Sequence, residues 1–143
     1  MFKKLLLTAA LLLSVMLTNS FADVDTWHTA NQATVGWDAP TTFQNGDPIP
    51  QDAVLEYDLY TATLADHSDA VKVGHSTSLT GVLSFTAEGN YIVGVSAVRV
   101  VSGSPIGSSD IAWSNVPEYC LNGATFGISY YLVPDLPDNI YKQ

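Results

Sequence analysis

One cysteine and three histidines are all that this 143-residue chain offers of the side chains most often used as nucleophiles or metal ligands. With Cys120 alone no internal disulfide can form, so a packed core must hold the fold together without covalent staples. His28, His67 and His75 lack the i, i+4 pairing around a glutamate that a zinc-hydrolase helix requires. Cys120 precedes LNGATFG, which is unlike a nucleophile elbow. In ADHSDA, Asp66, His67 and Asp69 crowd together, but Asp and Ser are also the residues that build turns by bonding their own backbone. A turn is the simpler reading, because a calcium or zinc site needs more ligands held in fixed geometry. No triad, metal cluster or phosphate loop can be assembled, so neither catalysis nor a cofactor nor a metal is expected.

Positive charge is scarce too. The chain has five basic residues against fourteen acids, and two of the five, Lys3 and Lys4, sit in MFKK at the start. Long apolar runs are confined to Leu5–Leu17, shorter than the roughly 20 residues a membrane-spanning helix needs. A basic start, a short apolar run and small residues at Ser20 and Ala22 have the form of a secretory signal peptide over residues 1–22, with cleavage expected after Ala22. The expected mature chain is periplasmic or secreted, with no membrane attachment. It keeps only Lys72, Arg99 and Lys142 as cations, and so repels nucleic acid.

What the mature chain does contain is period-two alternation in short runs, separated by Gly, Pro, Asn, Asp and Ser, the pattern of an all-β domain. ATVGWDAP alternates Val35 and Trp37 and stops at Pro40; TTFQNGDPIPQD is loop. VLEYDLYTAT places Leu55, Tyr57 and Leu59 on one face and Glu56, Asp58 and Tyr60 on the other. VKVGH is a short strand, SLTGVLSF aligns Leu79, Leu83 and Phe85, and Gly81 within it marks a bulge or a close approach. NYIVGVSAV puts Tyr91, Val93, Val95 and Ala97 toward the core and Ile92, Gly94 and Ser96 outward. VSGSPIGSS reads as a hairpin loop and DIAWSNV as a last strand ending at Pro117. A further short strand falls near Thr26–Thr29.

The succession TVGWDAP, YDLY, a leucine-bearing strand, NYIVGVSAV and GSSDIAWS resembles a fibronectin type III domain over roughly Gln32–Val116. The resemblance implies a seven-stranded antiparallel β-sandwich of immunoglobulin-like type. In it Trp37 on the second strand packs beneath Tyr57 on the third, and Tyr91 forms the tyrosine corner at the head of the sixth. The expected core is Trp37, Tyr57, Leu59, Leu83, Tyr91, Val93, Val95 and Ala97. Phe85 departs from the leucine usual there, and the absence of an Arg-Gly-Asp triplet removes support for integrin-type adhesion.

The domain is expected over residues 23–117, with residues 118–143 as a C-terminal extension. In that extension Phe126, Ile128, Tyr130 and Leu132 alternate as in a strand, and VPDLPDN resembles an interdomain linker. The segment pairs with its own domain, donates a strand to another subunit or partner, or stays loosely ordered. Trp27, Tyr60, Trp113, Tyr119, Tyr130 and Tyr131 exceed what a core of this size can hold. They stack on sugars, anchor a protein interface, or cover the seam between domain and tail. Trp27, Phe126, Ile128, Tyr130 and Leu132 are the candidate partner contacts. Cys120 is either an inert buried thiol or an intermolecular one. By the resemblance, the expected function is a non-catalytic binding, adhesion or spacer module with a protein or surface-glycan partner. The alternatives are a subunit of a surface assembly, and hence a homo-oligomer, or a carbohydrate-binding accessory.

Overall fold

The computed structural model describes residues 23–142; the expected signal peptide, residues 1–22, lies outside them. The described residues are all-β and form nine strands: β1 (Thr26–Thr29), β2 (Gln32–Gly36), β3 (Val54–Ala62), β4 (Val71–Ser76), β5 (Thr80–Ser84), β6 (Gly89–Val101), β7 (Ser104–Ser108), β8 (Ala112–Trp113) and β9 (Phe126–Tyr130). Two single 3-10 turns, Pro117–Tyr119 and Leu121–Gly123, connect β8 to β9.

Seven strands make one sheet in the order β1-β9-β6-β3-β4, with β7 and β8 also on β6, while β2 and β5 form a separate two-stranded sheet. The long strand β6 organises the larger sheet. β3 covers one edge from Ile92 to Val100. The other edge is shared by β9 at its start, β8 in its middle and β7 at its end. The two sheets meet in a core of Val35, Leu59, Leu83, Phe85, Val93 and Ile128, one apolar residue after another from facing strands.

The head of β6 explains its tyrosine. Gly89 turns at φ 156°, and the Tyr91 hydroxyl donates to the Ala87 carbonyl at 2.6 Å, pinning the loop before the strand. The Tyr91 ring lies 4.8 Å from that of Phe85. Trp37, just after β2, sits 5.2 Å from Tyr57 across the core. Gly81 is a close approach: a Cβ there would come within 2.5 Å of Leu59 and 3.2 Å of Trp37.

Several expectations need correction. The arrangement is not a purely antiparallel set of seven strands, because β1 runs parallel to β9. That pairing is fixed by Asp25, whose backbone N–H donates to Thr125 Oγ1 while its carboxylate accepts from Thr125 N–H and Oγ1–H, all at 2.9 Å. The boundary at residue 117 therefore cuts through a sheet, since β9 fills the space between β1 and β6 and puts Ile128 into the core. VSGSPIGSS is not a loop: Ser102 and Gly103, both at positive φ, make a two-residue turn that returns the chain as β7. Ile92, Gly94 and Ser96 do not face outward to water. All three are buried, and Ile92 joins Ala62 and Trp113 in a second cluster on that side of the sheet. On the inner face, Val95 and Ala97 are only half-buried, because the short β2–β5 sheet does not extend over them.

Candidate functional site

The uncovered inner face beyond Val93 is where the molecule has room. The loop between β2 and β3 folds over it as a small self-bonded hairpin. Phe43 N–H donates to the Asp47 carbonyl at 2.8 Å, Gly46 N–H to Phe43 at 2.9 Å and Ile49 N–H to Thr41 at 2.9 Å. Asn45 braces the turn from its side chain, and Gly46 supplies the required φ of 89°. Held this way, the loop leaves a cleft of about 280 Å³ against β3, β6 and β7. Phe43, Ile49, Leu55, Ala97 and Ile106 give it apolar walls, and Ser108 and Ser109 a polar rim. Arg99, the only arginine in the chain, reaches in from β6 with its guanidinium carbon 4.9 Å from the centre of the Phe43 ring.

Electrostatically this cleft stands apart. Among the described residues the ion pairs converge on Asp58 and Glu56, and Arg99 has no carboxylate partner. An arginine that is always charged, half-stacked on an aromatic ring and unpaired is an acceptor site for a carboxylate or another anion. The apolar walls around it favour an anionic group carried on an apolar body.

A second opening follows the free edge of β2. It has a volume of about 440 Å³ and is lined by Val35, Trp37, Val93, Tyr119, Leu121 and Phe126. Trp37 Nε1 is buried without a hydrogen-bond partner among the described residues. This opening carries no charge.

On the other side of the sheet, His75 on β4 is clamped between two carboxylates of β3. Its Nδ1–H donates to Asp58 at 2.7 Å and its Nε2–H to Glu56 at 2.8 Å, while Lys72 also reaches Asp58 at 2.8 Å. Asp58 foremost, then Glu56, raise the His75 pKa above its ordinary value and favour the imidazolium. Burial alone would raise the Asp58 carboxyl, but Lys72 and His75 together hold it below the usual value. The cluster is a closed set of mutually satisfied charges on an edge strand.

The residues singled out from the sequence have different fates. Tyr57, Leu59, Leu83 and Val93 are core, with Trp37 and Tyr91 packed partly buried against them. Of the candidate partner contacts, Ile128 is 3 % exposed and belongs to the core. Phe126 and Tyr130 pack partly buried against it. Trp27 lies over Gly127, where a Cβ would collide with its ring. Only Leu132, 70 % exposed, is free to meet a partner. Of the aromatic surplus, Trp27 and Tyr130 pack between domain and tail, while Trp113 and Tyr60 cover the other face of the large sheet. Trp113 is 8 % exposed beneath a stacked His67 ring at 4.2 Å, and Tyr60 packs beside it. Tyr119 and Tyr131 remain exposed.

In ADHSDA, Asp69 accepts from the backbone of Thr63 and Leu64, Asp66 from Ser68, and His67 bonds Asn115 at 2.7 Å. The two aspartates are committed to the turn and His67 to Asn115 and Trp113, and no group of three or more His, Cys, Asp or Glu placed to hold a metal occurs among the described residues. Cys120 is half-buried, its thiol directed at the carbonyls of Ser114 and Val116 at 3.3 Å each. Burial, and then the Asp25 charge, push its pKa up and keep it a thiol. No described helix is long and apolar enough to cross a membrane.

Arg99 and Phe43 were not singled out by pattern reading. The available signal was rarity: a lone arginine in a chain with fourteen acids needs a reason. The sequence matches no protein-family model and no curated protein.

Proposed function

We propose that this chain is an exported, non-catalytic binding module of the fibronectin type III kind, and that its recognition surface is the cleft between the β2–β3 loop and the end of β6. The observation that carries the family reading is the pair of aromatic contacts at their expected stations. The Tyr91 hydroxyl bonds back to Ala87 at the head of β6, and Trp37 meets Tyr57 between the sheets. Within such a two-sheet architecture β9 is an added strand that pairs on its own domain. The export reading rests on the sequence of residues 1–22.

Binding is supported over catalysis by the character of the cleft: preorganised backbone, apolar walls, one unpaired cation, and no carboxylate, histidine or cysteine in its lining to activate a rim hydroxyl. The partner is accordingly a protein segment with carboxylates set among apolar side chains. The glycan alternative loses its main support once Trp113 is buried and Trp27 lies against Gly127.

A photo-crosslinking residue placed at Ile106 in the producing cells tests the reading. Discrete adducts from Ile106, absent when the same residue is placed at Val71 on the far edge strand, are the expected result. No adduct at Ile106, with the chain retained inside the cell and residues 1–22 still attached, would overturn it.

A further inference from the structure

The chain carries a segment suited to its own cleft. After β9, residues 131–142 form neither strand nor helix, and every one is exposed, among them Leu132, Val133 at 86 % and Leu136 at 84 %. Solvent contact on so many apolar side chains in a row is unusual for a surface without a partner. Pro134 and Pro137 fall three apart in VPDLPD, a spacing that favours the extended polyproline helix with its three residues per turn. Wound that way, the segment has three faces: Pro134 with Pro137, Val133 with Leu136, and Asp135 with Asp138. Two apolar faces and one acidic face match an apolar, aromatic-walled cleft whose single charge is Arg99.

The register of β9 decides whose cleft it enters. β9 runs antiparallel to β6 with Tyr130 opposite Gly89, and the Leu132 N–H is held by Glu88 at 2.6 Å. The segment thus leaves at the Gly89 end of β6, heading away from Arg99. Along the strand Arg99 lies roughly 33 Å back. The stretch Leu132–Asp138 spans only roughly 20 Å when extended as a polyproline helix. Its own cleft is out of reach and behind it, whereas the cleft of a second copy, approached pole to pole, is not.

We propose that Leu132–Asp138 of one copy docks in the Phe43–Arg99 cleft of the next, with Asp135 and Asp138 facing Arg99. The contact is heterologous: tail and cleft lie at opposite poles, so it repeats from copy to copy instead of closing a symmetric dimer. It is a β9-independent mode of assembly, because β9 already has strands on both edges. This inference rests on the cleft being the binding surface, as proposed above. The two fail differently: crosslinks from Ile106 to some other exported protein would leave the binding-module reading standing and remove this one.

Sedimentation velocity on the purified protein over a concentration series tests it. Average mass should rise with concentration. R99E and the double variant D135K/D138K should each weaken association about tenfold or more, as expected for losing a charge-assisted contact. All three positions are exposed, and circular dichroism of each variant checks that it is folded. Mixing the two variants should restore concentration-dependent association, since the native tail of one meets the native cleft of the other and the charge-reversed tail meets the charge-reversed cleft. The combined R99E/D135K/D138K chain should associate again. A monomer at every concentration, association undiminished in R99E, or a mixture of folded variants without a complex would each overturn the proposal.

Discussion

At the scale of single residues, the aromatic pair around the core gives the sharpest test of how the domain is held. Removing the Tyr91 hydroxyl in Tyr91→Phe leaves the ring in place and deletes one bond to Ala87, which should cost about 1 kcal/mol. Trp37→Ala removes a ring lying against Tyr57 and packed on the core and should cost about 3–5 kcal/mol, both read from urea unfolding midpoints. His75 gives a pH signature. Its pKa is raised by Asp58 and then Glu56, so its contribution to stability is complete below its ordinary value of 6.5 and is lost as pH climbs through the raised one. Asp58 is held low, so its contribution persists until pH falls through that lowered value. Melting temperatures of the native protein and His75→Gln across pH should therefore differ most between these limits and converge on the alkaline side. Cys120, kept protonated, should react with a disulfide reagent more slowly than free cysteine at neutral pH, and reach a similar rate only on unfolding.

At the scale of elements, strands with one apolar face were legible and strands without one were not. Alternation located β3, β5 and the core face of β6, because a buried face imposes period two on the sequence. β7 is exposed at every position, so nothing in its letters distinguishes it from a loop; its turn is set by backbone angles at Ser102 and Gly103. The second face of β6 was misread for a different reason. The residues that cover it, Ile111 and Trp113, arrive much later in the chain, and alternation is blind to what folds over it. Gly94 tests that cover: an added methyl would meet Ile111 at 2.6 Å and the Trp113 ring at 2.7 Å. Gly94→Ala should destabilise by about 1–3 kcal/mol through overpacking, where an outward-facing glycine would tolerate it. The parallel union of β1 and β9 was equally hidden, since Asp25 and Thr125 are far apart in sequence. Thr125→Val should lower stability by about 1–2 kcal/mol in the same denaturation assay.

At the scale of the whole molecule, function separates from fold. The core, both sheets and the tyrosine corner account for most of the aromatic and branched residues that first suggested a sticky surface. Two features outside that packing bear on recognition: one arginine over one phenylalanine, and a short proline-bearing segment at the opposite pole. Neither forms a periodic pattern, which is why the site was less legible than the scaffold. Recognition residues need only meet a partner, and no internal lattice repeats them. Fourteen acids against five basic residues make the chain acidic, and the Arg99 cleft is a local exception to that charge.

The strand status of residues 126–130 decides whether the tail belongs to the domain or is free for donation. Amide hydrogen exchange followed by NMR on the dilute, unassociated protein addresses it directly. Protection across Phe126–Tyr130 comparable to that of Tyr91–Val95 is the expected result, with the amides of residues 133–138 exchanging fast. Rapid exchange throughout 126–130, alongside a protected β6, would contradict the closed sheet and return β9 to the role of a donor strand.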